Sequence, residues 1–175
     1  MATTKTASSS HSYLISIETE IGVPQLSSSV EGFEEYGPLI KSSFYFEKIV
    51  SPEAGADLFS SAKISASALS ITIQKGGFIA ELQNTFMKGA PIAQITLLTL
   101  ANIGGTNKIS DRIIFNNCYL LSMDTDQQQS DGTETAILTI RYTKFTHTVF
   151  EYKQDGTPPG QNESMFDLAK NTTEA

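Results

Sequence analysis

The feature that most constrains this chain is the ratio of strand-type to helix-type patterning. Leu69, Ile71 and Ile73 alternate with Ser70, Thr72 and Gln74, the period of two expected of a half-buried strand. Tyr13, Ile15 and Ile17 alternate with Leu14, Ser16 and Glu18 in the same way. Phe44–Val50 is aromatic and β-branched, which reads as a further strand. Strands are also expected over residues 92–101 and 111–123, the latter with Ile113, Phe115, Tyr119 and Leu121 on one side. Residues 134–153 form one long strand or a kinked pair. A helical period occurs once. Ile79, Leu82, Gln83 and Phe86 share a face, Lys88 lies in the last turn, Gly89 fits the position after the helix, and Pro91 stops it. This predicts a single short helix over residues 78–88. One helix cannot cover the faces of a parallel sheet. Six or seven strands separated by turns therefore favour an antiparallel barrel or sandwich.

The connections are polar and rich in Gly, Pro and Ser. The Thr- and Ser-rich residues 1–11 are expected to be disordered before assembly, residues 12–171 to form a single domain, and residues 172–175 to be a tail. Residues 19–42 read as a connection, 51–66 as an extended loop with a helical turn as the lesser alternative, 124–133 as a polar loop and 155–160 as a turn. Two connections carry apolar residues: Phe33, Tyr36, Leu39 and Ile40 in the first, Leu58 and Phe59 in the second. Long apolar connections are a liability on a monomer and contacts in an assembly. These six are the candidate interface residues. The competing structural role is that they fold back and cap the barrel.

The net charge is −7, and the 12 Lys and Arg are scattered singly. Nucleic-acid binding by charge neutralisation needs clustered bases, so no nucleic-acid partner is expected. From Thr6 to Ile40 there are five acids and no Lys or Arg; this is a solvated acidic surface, or a face for a basic partner. One cysteine, Cys118, rules out an internal disulfide, and its apolar neighbours point to a buried, inert thiol. The first residues contain no apolar segment of a secretory signal, and no run is long enough for a membrane helix.

Chemistry-bearing motifs are sparse. Gln74-Lys-Gly-Gly77 lacks the length and the Lys-Ser/Thr ending of a phosphate loop. Asp124-x-Asp126 with Asp131-Gly132 departs from calcium-loop spacing. His11 and His147 have no Cys or His at ligand spacing. No cofactor, no metal and no enzymatic activity are expected. A small hydrolase using an Asp–His pair around His147, or a monomeric β-barrel ligand-binding module, are the alternatives.

The order of elements resembles the Hcp family, the inner-tube proteins of the type VI secretion system, over about residues 12–171. Ser12–Glu18 has the Tyr-Leu-x-Ile cadence of that family's first strand, followed by the Gly22 turn. Ser43–Val50, the loop 51–66 and Leu69–Ile73 follow in order. Ala80-Glu-Leu-Gln-Asn-Thr-Phe-Met-Lys-Gly-Ala-Pro-Ile92 resembles the family's helix and exit, with Gln94–Leu97, Gly104-Gly105 and Ile113–Ser122 after it. Glu134 to Tyr152 resembles the family's late strand pair, and Phe166-Asp167-Leu168-x-x-Asn171 its Trp-Asp-Leu…Asn close. Phe166 stands where the family commonly has Trp, the chain has no Trp, and the usual polar capping run before the helix is missing.

The resemblance implies a mainly β fold, an antiparallel β-barrel of two sheets with one short helix. It implies hexameric rings that stack into a tube, propelled out of the cell and able to carry effectors. Its partners would be its own copies, the sheath proteins, the spike and baseplate, and effector cargo. It would lie in the bacterial cytoplasm before firing and then be secreted without a signal peptide, with no membrane insertion.

Overall fold

A computed structural model describes residues 12–19, 26–49, 63–126, 134–152, 160–170 and 172–174. In chain order the elements are β1 (Ser12–Thr19), β2 (Gly37–Ser43), β3 (Phe46–Ile49), β4 (Lys63–Ala66), β5 (Leu69–Gln74), α1 (Phe78–Lys88), β6 (Ile92–Ile103), β7 (Thr106–Asp126), β8 (Thr135–Arg141), β9 (Lys144–Glu151), β10 (Gly160–Asp167) and β11 (Thr172–Glu174). Every strand pairing among the described residues is antiparallel. Nine strands run in the order β11-β10-β9-β7-β6-β1-β2-β5-β8, and β8 also pairs with β7. That last pairing closes β7, β6, β1, β2, β5 and β8 into a six-stranded barrel. The strands β9, β10 and β11 continue from β7 as a flap, and β3 with β4 forms a separate two-stranded hairpin sheet.

Closure depends on β7. Its residues Asp111–Asn116 pair with β9, and its residues Tyr119–Asp126 pair with β8. The change of partner falls at Asn117, whose φ is +50°. This is the left-handed region, which Asn enters more readily than most side chains. The corner between β8 and β9 is fastened there: the Asn117 amide donates to Thr143 Oγ1 at 3.1 Å, and the Thr143 N–H donates to the Asn116 carbonyl at 3.2 Å. The bend also shifts the strand's phase. Phe115 and Cys118, three residues apart, are both in the core, whereas Tyr119 and Leu121 point outward at 49% and 51% exposure. The expected single face of Ile113, Phe115, Tyr119 and Leu121 is thus corrected. A regular period of two cannot cross a residue at positive φ.

The barrel interior is filled by Ile15 and Ile17 (β1), Leu69, Ile71 and Ile73 (β5), Ile95 and Leu97 (β6), Phe115 and Cys118 (β7), and Leu138 and Ile140 (β8), with Phe78 and Leu82 of α1 in the same cluster. α1 keeps the predicted bounds, and Gly89 ends it at φ +61°, with the Gly89 and Ala90 N–H groups on the Phe86 and Thr85 carbonyls. This is the left-handed helix end for which glycine is suited. A second cluster lies on the outer side of β1 and β6: Leu14, Leu98 and Leu100, covered by Val30, Phe33, Tyr36 and Ile109. Both faces of these two strands are therefore covered, and Leu14 is buried although it alternates with Ile15.

Further boundaries differ from expectation. The connection 19–42 contains β2, which pairs with both β1 and β5. Gly37-Pro38 signals a turn locally, but a proline at a strand's beginning gives up little of the ladder. The loop 51–66 contains β4, opposite β3. The pair over 134–153 is two strands divided at Tyr142-Thr143. Eleven strands are present among the described residues where six or seven were expected. The segment 1–11, the Gly22 turn, residues 155–159 and most of the expected loops 51–66 and 124–133 lie outside the described residues.

Asn117→Val places a β-branched residue at positive φ and removes the bond to Thr143. It should destabilise the chain by about 2 kcal/mol, while Asn117→Gly should lose less than about 1 kcal/mol. Urea denaturation followed by circular dichroism distinguishes the two.

Candidate functional site

The candidate residues separate into three environments. Leu39, on β2, is 8% exposed and belongs to the main core; its expected place in an apolar loop is corrected, because the chain there is a barrel strand. Phe33 and Tyr36 pack edge to face, ring centroids 5.9 Å apart, over Leu14, Leu98 and Leu100. Burial is the main cause that raises the Tyr36 pKa; the negative charges of Glu35 and Glu18 add to it, and Arg112 opposes it. Ile40 falls where the β2–β5 register shifts, and its side chain is 50% exposed. Leu58 and Phe59 lie outside the described residues.

Other apolar side chains are exposed where sequence patterning placed them on strands. Tyr45, Phe46 and Ile49 stand on or beside β3, Tyr119 and Leu121 on β7, and Ile137 on β8. The hairpin β3–β4 is held to the barrel by an aromatic chain. Phe46 stacks on Phe145 at 4.5 Å, Phe44 meets Phe46 at 5.6 Å and Phe115 at 5.3 Å, and Phe115 meets Tyr142 at 4.7 Å, the last three edge to face. Such pairs contribute beyond their buried area. The local signal was the Phe44-Tyr-Phe46 run; that it leaves Tyr45 outward while Phe44 reaches the core is a tertiary fact.

The end of β10 is an ionic corner. The Asp167 side chain is 3% exposed. Its Oδ1 accepts the N–H groups of Ala169 (2.9 Å) and Lys170 (3.1 Å), and its Oδ2 lies 3.2 Å from Lys144 Nζ and 3.8 Å from Lys170 Nζ. Burial works to raise this carboxyl's pKa, but the Lys170 N–H, the Lys144 ammonium and the Ala169 N–H outweigh it, and the pKa is lowered. The Leu168 N–H donates to the Thr143 carbonyl at 2.8 Å, so this corner is tied to the same residue as the β7 bend.

Nucleophilic chemistry finds little here. Burial pushes the Cys118 thiol up to about 12, which keeps it protonated at neutral pH. Tyr142 is also pushed up to about 12, first by burial and then by Cys118, and its hydroxyl is buried with no hydrogen-bond partner among the described residues. His147 Nε2 lies 3.0 Å from Asp111 Oδ2 on half-exposed strands. Among the described residues, no group of three His, Cys, Asp or Glu is arranged to hold a metal ion, and no helix is long and apolar enough to cross a membrane.

This barrel, with its one helix, is similar in fold to solved type VI secretion and Hcp structures. A solved structure described as a type six secretion system protein superposes with a TM-score of 0.79 at 12% identity, covering 94% of this chain and 100% of the other. Hcp1 from Salmonella typhimurium gives 0.70 at 12% identity, covering 93% and 99%. The secreted protein Hcp3 from Pseudomonas aeruginosa gives 0.60 at 12% identity, covering 88% and 97%. No protein-family model matches the chain, and no curated protein matches it.

Asp167→Asn keeps an acceptor for the two N–H groups and loses the charge. A carboxyl with a depressed folded pKa stabilises above its unfolded value, about 3.9, and that contribution is lost as pH falls through the folded value. The variant should therefore be less stable than wild type at pH 7, with the difference closing below about pH 3.9, as read from thermal melts across pH. Native Cys118 should remain unreactive to a thiol reagent at pH 8 and react once denaturant is added.

Proposed function

We propose that this chain is a structural subunit of a type VI secretion inner tube, in which six copies close into a ring and rings stack into a tube. The observation that carries the reading is the likeness to type VI secretion and Hcp structures across more than nine-tenths of the chain. The surface supports it. Tyr45, Ile49, Tyr119, Leu121 and Ile40 are exposed, and exposed apolar groups of this kind suit contact with sister copies. A barrel removes edges within the closed sheet, while the flap and the hairpin retain them, and cyclic closure satisfies such edges head to tail. Phe33, Tyr36, Leu58 and Phe59 remain interface candidates, the first two through the part of each ring that their own cluster leaves uncovered.

On this reading the tube is propelled out of the cell within its sheath, together with spike and baseplate, and carries effector cargo. The subunit waits in the bacterial cytoplasm and is exported by the machine itself. Its role is mechanical and not enzymatic. A rigid core, anchored by Asn117 and the aromatic chain, would transmit force between copies.

Light scattering on the purified chain should give about six times its 19.0 kDa, with rings in negative-stain micrographs. A single species of one chain's mass at high concentration overturns the proposal and favours a monomeric ligand-binding module. Tyr119→Asp and Ile40→Asp should abolish ring formation while shifting stability by less than about 0.5 kcal/mol. Phe33→Ala should weaken folding as well, because it also removes packing on Leu98.

A further inference from the structure

A groove of ≈ 320 Å³ lies between the β3–β4 hairpin and the corner where β8 passes into β9. One wall is the unbroken run Lys63–Ala68; the other is Arg141–Thr143 with Leu168 and Ala169. Successive residues of a strand point to opposite faces. A wall that includes every residue of β4 is therefore met along its edge and not by one face. Ile49, Tyr142 and Leu168 supply the apolar lining.

The charge of the described lining is opposite to that of the molecule. The chain carries −7, yet among the described residues the charged ones lining the groove are Lys63 and Arg141, with no carboxylate among them. Both are exposed, and neither forms an ion pair with a described residue. The nearest carboxylate in sequence, Asp167, is already held by Lys144 and Lys170.

We infer that this groove binds an extended acidic peptide along β4, its carboxylates on Lys63 and Arg141 and its apolar side chains beside Ile49. An occupant lying along β4 is itself extended, so its main chain can run beside that edge while its acids reach the two cations. The guanidinium of Arg141 can take a carboxylate with two parallel hydrogen bonds, while Lys63 acts as a point charge. The inference does not rest on ring assembly, because every residue named belongs to one chain.

The test uses the full-length chain and a short fluorescein-labelled peptide of alternating Glu and Val, read by fluorescence anisotropy. Saturable binding is expected, weakening as salt is raised. A peptide of alternating Lys and Val should not bind. The double variant Lys63→Glu, Arg141→Glu should bind the acidic peptide at least about tenfold more weakly, with an unchanged circular-dichroism spectrum. Should charge reversal disturb the fold, Lys63→Gln with Arg141→Gln makes the same comparison. Equal binding of the two peptides, or unchanged affinity in the variant, overturns the inference. A fall in particle mass when the acidic peptide is added would assign the groove to a sister copy and overturn it too. Particle mass without peptide tests the ring reading separately.

Discussion

The bend of β7 at Asn117 is the constraint on which the rest of the structure depends. β7 has 21 residues and takes two different neighbours along them, β9 and then β8. By entering the left-handed region at one residue, β7 gives its first half to the flap and its second half to β8. The side-chain bond from Asn117 to Thr143 holds the β8–β9 corner at the place where the partners change. Asp167 and Leu168 then fasten the end of β10 to that corner. Barrel closure, flap and chain end therefore meet at one joint.

Burial on two sides explains the remaining architecture. The inner faces of the barrel strands fill the main core. The outer faces of β1 and β6 carry Leu14, Leu98 and Leu100, apolar groups that would lie in water were they not covered by Val30, Phe33 and Tyr36. The same principle accounts for the hairpin. An isolated two-stranded sheet is marginal in water, and β3–β4 is stabilised by Phe44 and Phe46, whose contacts lead through Phe115 into the core. Among the described residues, Tyr45, Tyr119 and Leu121 stay exposed.

Likeness to Hcp structures at 12% identity is reasonable on these terms. The barrel asks for apolar groups of suitable volume at alternate positions, and many sequences meet that demand. It asks for particular chemistry at few places: a residue tolerant of positive φ in β7, a helix end at Gly89, a charge network at the last strand. Phe166, near the end of β10, is a buried aromatic.

The elements whose signals are local were legible in the sequence. The helix from Phe78 to Lys88, the strand at Leu69–Ile73 and the buried thiol of Cys118 each follow from spacing over a few residues, where backbone geometry alone sets which side chains share a face. The residues that decide the surface were not legible in that way. Leu39 became core, Phe33 and Tyr36 became a cover, and Tyr119 and Leu121 turned outward, because each outcome depends on a partner far away in the chain: β5 beside β2, Leu98 beneath Phe33, Thr143 beside Asn117. Period and propensity are properties of a segment. Which of its faces meets water is decided only when distant strands pair, and that was left to the tertiary structure.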